Sequence, residues 1–211
     1  MENLIYVLFV AIFVPILLMA CLVEKKARHP IVFFLIGIFA SVFASEINAY
    51  LRGVLPMSTF EITIIVTPIS EEILKALPIL LFATLLAPKK ESLFTASMAV
   101  GIGFAVLENA FYLLSSSSFN MIDAVVRAFG AGLMHGMCTL LVGVGILFVK
   151  KKPKLFAVGT FAMLSTAITY HGIYNMLVQS DFKMIGYLLP IATYVPFMVW
   201  RIKKIQQKKA K

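Results

Sequence analysis

Long runs of apolar residues constrain this chain more than any other feature. About seven runs approach or exceed the ~20 residues with which a helix crosses the hydrocarbon core of a bilayer. Backbone polar groups cannot be left unpaired in lipid, so these runs should be helices. The expected spans are roughly Leu4 to Leu22, Ile31 to Tyr50, Phe60 to Leu86, Leu93 to Leu114, Ala124 to Val149, Leu155 to Val178 and Met184 to Trp200.

Composition supports a membrane protein, with 61% hydrophobic and only 14% charged residues. A soluble domain has about a quarter charged residues. The sequence therefore predicts an all-α, polytopic transmembrane helix bundle that forms a single integral-membrane domain over residues 1–211, located in the cell membrane. No internal repeat is evident, and the two cysteines lie within predicted spans, so a structural disulfide is not expected.

Basic residues predict the orientation of the bundle, because cytoplasmic loops are enriched in Lys and Arg. One set of alternate loops carries only Arg52 and Lys183. The other set carries Lys25, Lys26, Arg28, Lys89, Lys90, Lys150, Lys151, Lys152, Lys154 and the basic carboxyl-terminal tail. The amino terminus is thus expected outside and the carboxyl terminus in the cytoplasm. The net charge of +9 then reflects topology and contact with anionic lipid rather than nucleic-acid binding.

Several polar residues lie inside the predicted spans, where an ionisable group costs a few kcal/mol and is a candidate for function. They are Glu71, Glu72, Lys75, Glu108, Asn109, His135, His171 and Asn175. Glu72, Glu108, His135 and His171 each lie about 14 to 16 residues from the cytoplasmic end of a span, roughly 21 to 24 Å at the helical rise. Four helices would thus bring carboxylates and imidazoles to one level, in the outer half of the bilayer.

Helical spacing predicts which of these side chains are neighbours. Lys75 is i+4 from Glu71 and i+3 from Glu72, so it can reach either carboxylate. Adjacent Glu71 and Glu72 point about 100° apart, so only one should face a cleft squarely. Phe104 and Glu108 share one face of the fourth span, and His171 and Asn175 one face of the sixth. Pro68 and Pro78 flank the glutamate pair, where a kink would make room for water.

Carboxylates and imidazoles in a wet intramembrane cavity suit hydrolysis, with a carboxylate as base and an imidazole or amide as oxyanion donor. Three alternatives stay open. Glu108, His135 and His171, with Glu71 or Glu72, have the side chains of a divalent metal site, although no HExxH pattern is present. Buried acids and histidines also serve proton-coupled transporters. The third is a catalytically inactive membrane-binding protein, in which Glu72 and Lys75 would simply make a structural ion pair.

Four ordered segments resemble the motifs of the PrsW family of intramembrane proteases. Ser70-Glu71-Glu72-Ile73-Leu74-Lys75 is similar to the EExxK motif, and Gly103-Phe104-Ala105-Val106-Leu107-Glu108-Asn109-Ala110-Phe111-Tyr112 to GFAxxENxxY. Arg127 followed by His135, and His171-Gly172-Ile173-Tyr174-Asn175, resemble the third and fourth motifs. The resemblance covers about residues 59–178, the expected catalytic core. It extends more loosely to the CAAX prenyl endopeptidases, which have arginine and histidine where this chain has Lys75 and Glu108.

The resemblance implies an intramembrane endopeptidase of the glutamic type that needs no cofactor, although a divalent metal such as zinc is not excluded. Its general base would be Glu71, oriented by Glu72 and Lys75, with Glu108 sharing the water. His171 and Asn175 would form the oxyanion hole, and His135 would be a second donor or a proton shuttle. Phe104, Asn109 and Arg127 would support the site, with Arg127 as a candidate to guide the substrate. The implied substrate is a membrane-anchored protein, such as a single-span anti-sigma factor, cut near the outer face.

Overall fold

The computed structural model of the protein describes residues 4–115, 121–151 and 156–209, and all of its regular structure there is helical. The α-helices are α1 (Leu4–Leu22), α2 (Lys25–Val54), α3 (Thr59–Glu61), α4 (Thr67–Leu86), α5 (Lys90–Ser115), α6 (Met121–Lys151), α7 (Ala162–Val178) and α8 (Lys183–Lys209). Two π-helical segments, Ile62–Val66 and Phe156–Phe161, precede α4 and α7.

Four helices in the described part of the chain are long and apolar enough to cross a membrane. They are Leu4–Leu22, Lys25–Val54, Lys90–Ser115 and Ala124–Leu147. Large apolar side chains such as Leu18, Leu85 and Phe129 are exposed on the outside of the bundle, as expected where lipid replaces water. The prediction of a helical membrane protein is confirmed, whereas the number of spans and the orientation of the termini stay predictions.

The bundle is organised around α5, which packs against α2 on one side and α6 on the other. Close approach of α5 and α6 depends on Gly101, since a Cβ atom at this position would collide with the backbone carbonyl of His135. α6 also packs against α7 and α8. α4 lies against α2, α5, α6 and α7. A buried apolar core that includes Ile79, Val100 and Met134 fills the space among these helices.

The expected third span consists of three consecutive helical pieces. Ser58 and Glu61 form a capping box that begins α3, with the Ser58 hydroxyl accepting from the Glu61 amide at 3.2 Å. The π-helical segment follows, and α4 then runs through Pro78 to Leu86. A π segment, a feature that often occurs at functional sites, thus lies just before Pro68, whereas the kink expected at the prolines stays a prediction.

Candidate active site

Glu72, Lys75 and His171, the inner group, form the most buried part of the polar cluster. The Lys75 Nζ atom lies 2.6 Å from Glu72 Oε1, and both side chains are fully shielded from solvent. His171 Nδ1 lies 2.8 Å from the same Glu72 oxygen. Because a carboxylate only accepts, the His171 proton resides on Nδ1, and Nε2 presents a lone pair. Glu72 therefore fixes both the orientation and the tautomer of His171.

His135 on α6 connects this inner group to Glu108. Its Nδ1 atom lies 2.8 Å from Lys75 Nζ, and its Nε2 atom lies 2.5 Å from Glu108 Oε2. An ammonium group can only donate, so Nδ1 accepts and the ring proton resides on Nε2. The His135 ring also contacts Phe104, with 5.1 Å between the ring centroids. His135 Nε2 thus carries a proton close to Glu108 Oε2, although the two atoms are not aligned for a hydrogen bond.

Glu108 and Arg127 form the outer group, in which the ion pair is longer than in the inner group. Arg127 Nη2 lies 3.6 Å from Glu108 Oε1, and 32% of the Glu108 side-chain surface is exposed. The Arg127 guanidinium stacks over the Tyr112 ring at 3.5 Å from the centroid. Stacking of this kind stabilises a buried guanidinium by about 1 kcal/mol or more. The open side of the cluster is therefore the side of Glu108.

Glu71 lies beside the inner group on α4 and has different partners. Asn48 Nδ2 on α2 donates to Glu71 Oε1 at 3.2 Å, and Ser70 Oγ donates to Asn48 Oδ1 at 2.6 Å. Glu71 Oε2 lies 3.8 Å from His171 Nε2 and has no hydrogen-bond partner among the described residues. This separation is too long for a direct hydrogen bond and suits a bridging water.

The charges of the cluster do not balance in fixed pairs. Three carboxylates, those of Glu71, Glu72 and Glu108, face two permanent cations. Lys75 pairs with Glu72 and Arg127 with Glu108, and in the described part of the chain no lysine or arginine nitrogen lies within 4.0 Å of Glu71. Glu71 is the buried carboxylate that can exchange a proton without breaking an ion pair.

The structure thus brings Glu71, Glu72, Lys75, Glu108 and His135 together with His171, Arg127 and Phe104. Asn175 lies at the edge of this cluster, and its amide donates to the Thr63 carbonyl at 3.0 Å. Asn109, which follows Glu108 in the sequence, is buried. Its side-chain oxygen has no hydrogen-bond partner among the described residues. Sequence reasoning missed Asn48, whose signal was an amide two residues after Glu46 near the end of a span.

Some residues of the cluster are of the kinds that bind a divalent metal. Glu71, His135 and His171 each offer a ligand atom, and these atoms lie within 4.8 Å of one another. Two histidines and a glutamate are a known catalytic zinc set, and Glu72 supports His171 as a second-sphere carboxylate would. The contact between Lys75 and His135 differs, because the ammonium group occupies the His135 Nδ1 lone pair and leaves a proton on Nε2, so neither nitrogen has a free lone pair. The three residues therefore fit a metal site in their composition and spacing. The hydrogen bonding of His135 in this structure does not fit a metal ligand.

A helical membrane bundle that buries carboxylates and imidazoles in one cluster has the side chains that an intramembrane hydrolase needs. The family model described as "PrsW family intramembrane metalloprotease" matches residues 25–201, and the chain belongs to this family. The protein is accordingly a multi-pass membrane protein of a protease family. Neither the comparison with curated proteins nor that with solved structures found a match.

Proposed function

We propose that the protein is an intramembrane endopeptidase that cleaves a membrane-anchored protein with a water activated by Glu71. The carrying observation is the 3.8 Å gap between Glu71 Oε2 and His171 Nε2, two acceptor atoms of which the first has no other partner in the described part of the chain. A water that donates to both atoms is oriented with its oxygen lone pairs away from them. Family membership favours this peptidase over the transporter alternative.

The proposed reaction uses side chains from four helices. Glu71 takes a proton from the water as its oxygen attacks the peptide carbonyl carbon, and Glu108 is an alternative to His171 as the second acceptor of this water on the open side. The His135 Nε2–H group, whose proton the Lys75 contact retains, donates to the carbonyl oxygen as it becomes an oxyanion. Glu71 then returns the proton to the leaving nitrogen as the C–N bond breaks. Glu72 keeps the His171 lone pair directed at the water.

The proposed substrate is a single-span protein, such as an anti-sigma factor, cut near the outer face of the membrane. Two features support this position of the cut. The depth expected from the predicted spans would put the cluster in the outer half of the bilayer, and the partly exposed Glu108 carboxylate marks the side from which a peptide can approach. Orientation of the protein with its amino terminus outside is part of this proposal.

A cleavage assay on co-expressed single-span proteins tests the proposal. Glu71→Gln and Glu108→Gln are both expected to fold and to lose cleavage, by about 100-fold or more, because removing a general base has effects of this size. Glu46→Gln is the matched control, since Glu46 bonds to Tyr6 instead of the cluster. It should cleave like the wild type. Normal cleavage by both site variants would show that these carboxylates do not carry the reaction.

A metal-dependent peptidase is the second candidate, favoured by the family description and by the Glu71, His135 and His171 set. A metal held by these residues would activate water as a Lewis acid. Metal analysis of the purified protein separates the two candidates. Activation by Glu71 alone predicts less than about 0.1 metal ion per chain and full activity in chelator, whereas about one tightly bound zinc, as at a catalytic zinc site, would favour the metal.

A further inference from the structure

The backbone carbonyl of Thr63 has lost the donor that its own helix would supply. The Thr67 N–H group bonds to Ile62 O, five residues back, so this segment is in π register. The next donor in that register, the one for Thr63 O, would be residue 68, which is a proline without an N–H group. A carbonyl without a donor inside a membrane protein costs free energy, so a partner is needed from elsewhere.

Helix α7 supplies that partner. Asn175 Nδ2 donates to Thr63 O at 3.0 Å, across 112 positions of sequence. One turn earlier on the same face, Gly172 lies so close that a Cβ atom there would be 2.7 Å from Ile64 O. α7 is thus joined to the π-helical segment by one hydrogen bond and one close backbone approach.

This junction joins the two parts of the chain that carry the two halves of the proposed water site. The π-helical segment continues directly into α4, which carries Glu71 and Glu72, and His171 immediately precedes Gly172. Rotation or sliding of α7 would therefore change the 3.8 Å gap between His171 Nε2 and Glu71 Oε2. A displacement of about 1 Å at a reacting centre can cost 100-fold in rate.

We infer that Asn175 is a positioning residue whose amide replaces the missing N–H of Pro68 and thereby holds His171 opposite Glu71. The inference rests on the proposed function for its effect on turnover. It differs from the oxyanion role expected from the sequence, in which the same amide would donate to the reacting carbonyl of the substrate. The two roles predict different effects of losing the Asn175 amide once a backbone N–H donor is present at position 68.

A double-mutant cycle of Asn175→Leu and Pro68→Ala tests the inference. Leucine keeps the side-chain volume but removes the donor, and alanine gives position 68 an N–H that can reach Thr63 O in π register. With Pro68 present, Asn175→Leu should lower kcat about 100-fold. With Pro68→Ala, the same change should lower kcat no more than about threefold, a coupling within the range seen for contacting groups. An equal loss in both backgrounds would overturn the inference and favour the oxyanion role.

Gly172→Ala is the matched comparison, because its added methyl group pushes against Ile64 O without removing a hydrogen bond. It should lower kcat in both backgrounds, and rescue by Pro68→Ala would mean that the π segment merely loosens, which contradicts the inference. Thermal unfolding of the four proteins of the cycle needs no turnover. Asn175→Leu should lower the Tm less in the Pro68→Ala background than in the background that keeps Pro68. If the wild type cleaves no substrate, the proposed function fails, while this unfolding cycle still tests the hydrogen bond.

Discussion

The inner and outer groups of the cluster contain similar ion pairs in different surroundings. In the inner group, Lys75 and Glu72 are 2.6 Å apart and fully shielded. In the outer group, Arg127 and Glu108 are 3.6 Å apart, and about a third of Glu108 is exposed. Because His135 contacts both Lys75 and Glu108, it connects the shielded pair with the accessible one. The comparison distinguishes a shielded inner pair from an outer pair that is longer and partly exposed at Glu108.

The surroundings determine what each pair contributes to stability. Desolvation of a buried pair can cost as much as its attraction returns, yet removing one partner leaves an uncompensated charge. A partly exposed pair is weaker and adds about 1 kcal/mol or less. The inner and outer groups should therefore respond differently to substitution.

The largest effect on stability is expected from Lys75→Met, which leaves the Glu72 carboxylate buried without its cation. The free energy of unfolding should fall by about 3–5 kcal/mol. Reversible unfolding in mixed micelles measures this loss. The double variant Glu72→Leu/Lys75→Met removes both charges and should recover most of the stability. A loss below about 1 kcal/mol in the single variant would mean that the inner pair resembles an exposed one.

A smaller effect is expected from Arg127→Lys in the outer group. Lysine keeps the charge but loses the planar stacking on Tyr112, so the free energy of unfolding should fall by about 1 kcal/mol. Arg52→Lys, at an exposed position in the last turn of α2, is the control and should leave the same measurement unchanged. If Arg127→Lys matches the loss in Lys75→Met, the difference between the two groups does not exist.

The smallest effect concerns a position outside both groups. Ala87 ends α4 in the left-handed conformation, with φ of 43°. Ala87→Gly should raise the free energy of unfolding by about 1 kcal/mol, since glycine adopts this conformation without the Cβ clash. Cleavage by this variant should equal that of the wild type. A change in cleavage would show that stability alone affects turnover, and activity losses in the two groups would then need correction for it.

Much of the candidate site could be predicted from the sequence because hydropathy determines where helices begin and end. Span edges set the depth of a residue, and Glu72, Glu108, His135 and His171 were expected at one level for that reason. The structure brings their side chains together. Depth says nothing about rotation around a helix axis, and adjacent residues differ by about 100°. The sequence therefore left open whether Lys75 pairs with Glu71 or Glu72, and packing of α4 against α6 and α7 selects Glu72.

By itself, the sequence determined that this protein is a helical membrane protein of the PrsW family, because the length of an apolar run and an ordered set of motifs are local properties of the chain. Only the tertiary structure revealed that Asn48 holds Glu71 and that Asn175 donates to Thr63. These contacts join residues 23 and 112 positions apart in the sequence. They depend on the rotation of each helix and on a single shift to π register before Pro68, which no pattern of hydropathy or spacing records.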